Sequence, residues 1–216
     1  MKIRQVKILS PNLIETEKFY AGILGFKPQE KTSSAISFAI GDSKLTFVKT
    51  AIPKPVYHFA FNIPKNKLNE AEEWIAAKVS IIAFENKSII DFPNWNAKSL
   101  YFFDTNGNIL EFIARFDLEN ESDTAFGTSR ILSISEIAFV TDNVKALAEK
   151  LISENDFSFF DKQTQRPDFS VIGEDHGLLI LVDSQRNWFP TQIKAESFWM
   201  EVCLENNGNL IKLEHQ

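Results

Sequence analysis

The order strand, helix, strand, strand recurs three times along this chain, and that recurrence narrows the possible folds more than any other feature. In the first round Ile3 to Leu9 alternates as a strand does, and Asn12 with Glu15 three residues later has the form of a capping box. Leu13, Phe19, Tyr20, Ile23 and Leu24 then fall at helical spacing, and Gly25 stands where a left-handed residue ends a helix before Phe26 packs back. Short strands are predicted over Ala35 to Ile40 and Lys44 to Lys49 around the turn Gly41-Asp42, with room for one more between Phe26 and Lys31.

The second round opens on YHFAFNIP and continues into a helix from about Lys65 to Val79, whose Leu68, Ala71, Ile75 and Val79 share one face. SLYFFD and NILEFIAR close it around Thr105-Asn106-Gly107, a strong hairpin signal. The third round runs from ISEIAFVTDN through a helix carrying Val144, Leu147, Ala148, Leu151 and Ile152 to the strands FSVIG and GLLILVD. A period of roughly 50 to 75 residues is too long for a solenoid and implies duplicated units that pair their sheets. Leu118 to Arg130 is polar and unpatterned and reads as a linker, while FWMEVCLE and NLIKLEH read as an incomplete fourth unit.

Composition removes several function classes. The 44% hydrophobic content with 20 Phe supplies a sizeable core. A net charge of -6 without a basic stripe argues against nucleic acid. Cys203 is the sole cysteine, which excludes an internal disulfide framework and suits a reducing compartment, and no apolar run approaches a membrane span. Cytoplasm is the expected location. No P-loop, dinucleotide fingerprint or nucleophile elbow is present, and Cys203 has no histidine arranged with it for thiol catalysis.

FYAGILGF, YHFAFNIP and FDTNGNILEF, in that order and spacing, resemble the helix end, fifth strand and closing hairpin of the vicinal oxygen chelate superfamily of glyoxalases, bleomycin resistance proteins and extradiol dioxygenases. The resemblance covers residues 1–115 well and 131–183 more loosely. It implies an α+β fold of repeated βαβββ units, two of which close a half-open eight-stranded barrel around a divalent metal and a small substrate. The corresponding division is a complete two-unit module over 1–117, a linker over 118–130, and a third unit with an incomplete fourth over 131–216. Carried over position by position, the resemblance offers Gln5, Thr46, His58 and Glu111 at the ligand positions, of which Gln5, His58 and Glu111 form the expected metal set, with iron, manganese, zinc or nickel as the ion. Gln5 replaces the first histidine of the dioxygenase set, and Thr46 replaces a glutamate that glyoxalase-like members use as ligand and base.

Strand alternation independently puts His58, Ala60 and Asn62 on the face opposite Tyr57, Phe59 and Phe61, and leaves Glu111 as a lone carboxylate in an apolar strand. A core-edge histidine bonded to backbone is the alternative for His58, and an ion pair with Lys7 or Arg4 is the alternative for Glu111. Glu136 occupies in the third unit the place of His58 in the second, but Leu181 stands where Glu111 would, which argues against a second metal site. The loop Asp91 to Asn96 presents Phe92 and Trp95 either as a rim plug or as a lid, Trp188 and Phe189 are expected to pack across the incomplete sheet, His176 reads as exposed, and His215 is too near the terminus to expect a fixed role. Two functions follow as expectations: a metal-dependent glyoxalase- or dioxygenase-like enzyme acting on a small oxygen-bearing substrate, or a non-catalytic small-molecule binding protein of the bleomycin-resistance type. In a third reading a homodimer completes the partial module.

Overall fold

A computed structural model describes all 216 residues. The first unit comprises β1 (Lys2–Ser10), α1 (Leu13–Glu17), β2 (Pro28–Lys31), β3 (Ala35–Ile40) and β4 (Ser43–Lys49). Asn12 caps α1 by accepting from the amides of Ile14 and Glu15, and the helix widens into a π-helical turn over Lys18–Ile23. It ends as the sequence predicts, with Gly25 at φ +78°. The second unit comprises β5 (His58–Ile63), α2 (Leu68–Ala76), β6 (Ile81–Ile82), β7 (Ile90–Phe92), β8 (Ala97–Phe103) and β9 (Ile109–Arg115). The third comprises β10 (Ser133–Thr141), α3 (Val144–Asn155), β11 (Phe169–Glu174) and β12 (Gly177–Asp183), and a C-terminal hairpin adds β13 (Met200–Asn206) and β14 (Asn209–His215).

The units join otherwise than the expected 1–117 module implies. The first strand of the second unit pairs with the first strand of the third, β5 with β10, antiparallel at Ile137↔Phe59 and Glu136↔Ala60. The first strand of the first unit gives most of its edge to the C-terminal hairpin, β1 with β13, and touches β10 only at Ile3↔Ile134. One continuous sheet of 14 strands results, with two half-barrels side by side: units two and three in one, unit one and the terminal hairpin in the other. Strand pairing between distant segments depends on packing that local patterning does not encode.

Within each unit the alternation is as the sequence predicts. Phe59, Phe61 and Ile63 of β5 join Phe112, Leu110 and Ala114 of β9 in the main core beneath the helices. The opposite faces of units two and three form a second apolar cluster from Tyr101, Ile109, Ala138, Val140, Ile180 and Val182, with Trp188 packed over it. The polar stretch at 118–130 is an ordered strap across α2: the amide of Phe126 donates to Glu70, and its ring stands 5.6 Å from that of Trp74. The strap returns the chain to β10 beside the first unit, where Gly41 at φ +51° lies so close to the Leu132 carbonyl that a Cβ would sit 1.9 Å from its oxygen.

Two local expectations differ. Asn106-Gly107 lies in a longer loop between β8 and β9, built around the buried Asp104, whose carboxylate accepts from the amides of Asn106 and Asn108 and from the Tyr20 hydroxyl. His215 is held in place: its ring stacks on Phe139 at 4.8 Å and its Nε2 bonds to the Val140 carbonyl, which fastens β14 to the third unit. No helix is long and apolar enough to cross a membrane.

Candidate metal centre in the cup of the second and third units

His58 begins β5, Glu111 sits mid-strand in the neighbouring β9, and Glu136 lies on β10 across the seam between the two units. Alternation turns all three inward, and a register shift between Ile134 and Glu136 lets the third unit aim its glutamate at the second unit's cup. Their donor atoms lie within 4.8 Å of one another, and all three residues are buried.

His58 Nδ1 stands 3.1 Å from the carbonyl oxygen of Ile109. A carbonyl only accepts, so Nδ1 carries the proton and the lone pair is on Nε2. That lone pair faces Glu111 Oε2 at 3.5 Å. Burial lowers the imidazole pKa from 6.5 to about 4, so His58 is neutral near pH 7 and the contact is not a salt bridge. The Nε2 lone pair therefore faces a carboxyl oxygen across a gap that a proton on Glu111 or a bound cation would bridge.

Burial pushes the Glu111 carboxyl well above the usual carboxylate range, and the Glu136 charge pushes it further, while Ser99 and Tyr101 present hydroxyls that partly offset this. Burial also raises Glu136, opposed by the Arg115 guanidinium. Arg115 is wholly buried, bonds to Glu136 Oε1 and Ser135, and lies 3.4 Å from Asp175. One oxygen of Glu136 is thus held by a fixed cation and the other is left for a ligand.

The donor set fits a divalent ion. One imidazole and two carboxylates, one of them paired with Arg115, meet at a buried site, and a dication would offset the burial and the repulsion that together raise Glu111. The Ile109 carbonyl behind His58 and the Arg115 guanidinium behind Glu136 stand where outer partners would orient metal ligands.

Of the expected residues, His58 and Glu111 come together and Gln5 does not join them. Gln5 lies on β1 in the other half-barrel, where its amide donates to Thr46 at 3.5 Å, and neither residue lines the cup. The position assigned to Gln5 is filled by Glu136, because the unit that completes the cup is the third and not the first. Lys7 and Arg4, the alternative partners for Glu111, pair instead with Glu201 and Glu205. The signal for Glu136 was its equivalence to His58 in the repeat. Its use depended on knowing which units face each other.

Above the donors is a cavity of about 370 Å³. Phe92 and Trp95 from the loop after β7 form one side and Trp188 and Phe189 form another, so these residues wall the cavity instead of filling it. Trp95 Nε1 donates to Gln163 across the two units at 3.0 Å, and the Trp188 ring lies 6.0 Å from His58. His176 is exposed and Cys203 is half-buried in the other half-barrel, both outside the cavity.

No family model matches the sequence, and no curated protein matches it. Among solved structures, a Bacillus subtilis protein proposed to be a dioxygenase aligns with a TM-score of 0.64 at 17% identity, over 84% of this chain and 63% of its own. The chain therefore spans less than two thirds of that protein's length. A lactoylglutathione lyase from Agrobacterium tumefaciens aligns at 20% identity with a TM-score of 0.43, over 51% of this chain and 91% of its own. A fosfomycin resistance protein from Listeria monocytogenes, complexed with Mn(II) and a dihydroxypropylphosphonic acid, aligns at 19% identity with a TM-score of 0.42, over 54% and 91%. With its repeated units and cupped sheet, the chain has the α+β fold of the vicinal oxygen chelate type that its sequence resembles.

Proposed function

We propose that the cup of the second and third units is the active site of a metal-dependent enzyme, in which His58, Glu111 and Glu136 hold one divalent ion of the iron, manganese, zinc or nickel class. The observation that carries this reading is the unprotonated Nε2 of His58 facing a buried carboxylate at 3.5 Å, with a second carboxylate from another unit completing the group. When bound, the ion would supply Lewis acidity toward an oxygen of a small substrate and orient it.

The remaining work falls to the chain. Ile109 fixes the imidazole tautomer, Arg115 fixes the rotamer of Glu136, and the aromatic side chains wall the approach to the floor. Tyr101, opposite Glu111 in the β8–β9 register, is kept protonated by burial and the neighbouring carboxylates, so it can donate to an oxygen placed beside Glu111. No second carboxylate base comes from the position of Thr46, which lies in the other half-barrel.

The test is metal content. Protein purified without chelator and dialysed against each ion should hold close to one equivalent. His58→Ala and Glu136→Gln should each weaken loading at least tenfold, as loss of a direct ligand exceeds the roughly 10- to 100-fold cost of losing an outer partner. Gln5→Ala should load as wild type. A wild-type protein that takes up none of the four ions would overturn the reading.

A second reading draws on the ion pair between Arg115 and Glu136, which neutralises that carboxylate without a metal. Here Glu111 stays protonated and the cavity binds an apolar small molecule without turnover. Failure to load metal combined with saturable binding of an apolar ligand would select it.

A further inference from the structure

The cavity has a polar feature at the end formed by the third unit. Arg166 and Arg186 both line it, and their guanidinium groups stack on the ring of Phe169 at 5.1 and 5.2 Å from its centroid. A single carboxylate stands between them: Arg186 Nη1 donates to Asp168 Oδ2 at 2.7 Å, and Arg166 Nε is 3.7 Å from Oδ1. Two positive charges thus share one negative charge.

Each guanidinium has five N–H donors in a planar fork. Arg186 commits one of them to Asp168. Arg166 makes no side-chain hydrogen bond within the distance of a good one, since its contact with Asp168 is at 3.7 Å. Asp91, the other carboxylate on the cavity wall, comes from β7 of the second unit and pairs with neither arginine. Stacking on Phe169 places both forks beside the cavity and Asp168 fixes Arg186, so free guanidinium donors are presented to a ligand there.

We propose that the ligand of this cavity is an oxyanion, with a carboxylate seated on Arg166 and Arg186 and a flat apolar body lying between Trp95, Trp188 and Phe189. This deepens the proposed function and rests on the cavity being the substrate site. The arginines set which molecules enter, and the three donors on the floor act on the end that points away from them.

The probes are benzoate and its neutral isostere benzamide, titrated into the full chain at fixed ionic strength with tryptophan fluorescence as the signal. Both metal-loaded and chelator-treated protein are used. Charge-assisted hydrogen bonds predict that benzoate binds about tenfold more tightly than benzamide in both forms. Arg166→Gln and Arg186→Gln should each remove most of that preference with no change in metal content. Asp168→Asn, which removes the competing carboxylate, should enlarge it, a direction that a merely structural role would not give. A preference that survives both arginine substitutions and disappears with the chelator would place the carboxylate on the ion and overturn the proposal, as would equal binding of the two probes. Metal uptake is measured separately, so a chain that binds no ion but still discriminates benzoate would fail the proposed function and leave this inference standing.

Discussion

Titration of His58 gives the most direct test of how the site is built. In the unfolded chain the imidazole has a pKa near 6.5, and in the folded, metal-free protein burial lowers it to about 4. The folded state therefore binds fewer protons between these values, and stability falls as pH is lowered through that window. Each tenfold change in proton affinity corresponds to about 1.4 kcal/mol, so the depression amounts to about 3 kcal/mol lost between pH 7 and pH 4. Glu111 acts in the opposite sense: its raised folded pKa means that acidification relieves a buried charge, and this contribution is gained as pH falls. Wild type alone would report the sum. Chelator-treated wild type and His58→Gln, which retains an amide donor for the Ile109 carbonyl and has no titrating group, should be compared by urea unfolding at steps from pH 7 to pH 4. The stability difference between them should change by about 3 kcal/mol in favour of the variant on acidification. A difference that stays constant with pH would show that the imidazole is not the buried, neutral group described here and would remove the basis for an unprotonated Nε2 facing Glu111.

Two further substitutions test the supports of the site. Arg115→Met leaves Glu136 and Asp175 without their buried cation and should destabilise the protein by about 3–5 kcal/mol in denaturant unfolding, whereas an unchanged midpoint would mean that the ion pair is not desolvated. Gly41→Ala meets a positive φ and a carbonyl oxygen at 1.9 Å, so thermal unfolding should show a loss of more than about 2 kcal/mol, and a neutral result would place β10 further from the first unit than it stands.

The sequence by itself determined what is local. Period-two alternation in β5 and β9 placed His58 and Glu111 on cup-facing sides because successive side chains on a strand must point to opposite faces. Asn12 and Gly25 marked the ends of the first helical segment through capping and a left-handed backbone. The repeat order was legible for the same reason, since each unit carries its own hydrophobic pattern. Tertiary structure alone decided which units face each other. Gln5 and Glu136 each sit on the first strand of a unit, and nothing in either strand states whether it will border β5. That choice is made by edge pairing and packing across the 69 residues of chain between β5 and β10, where many weak contacts act together. It brought Glu136 to His58 and Glu111 and left Gln5 in the neighbouring half-barrel, because a side chain's direction follows from its own strand while its neighbours follow from the whole sheet.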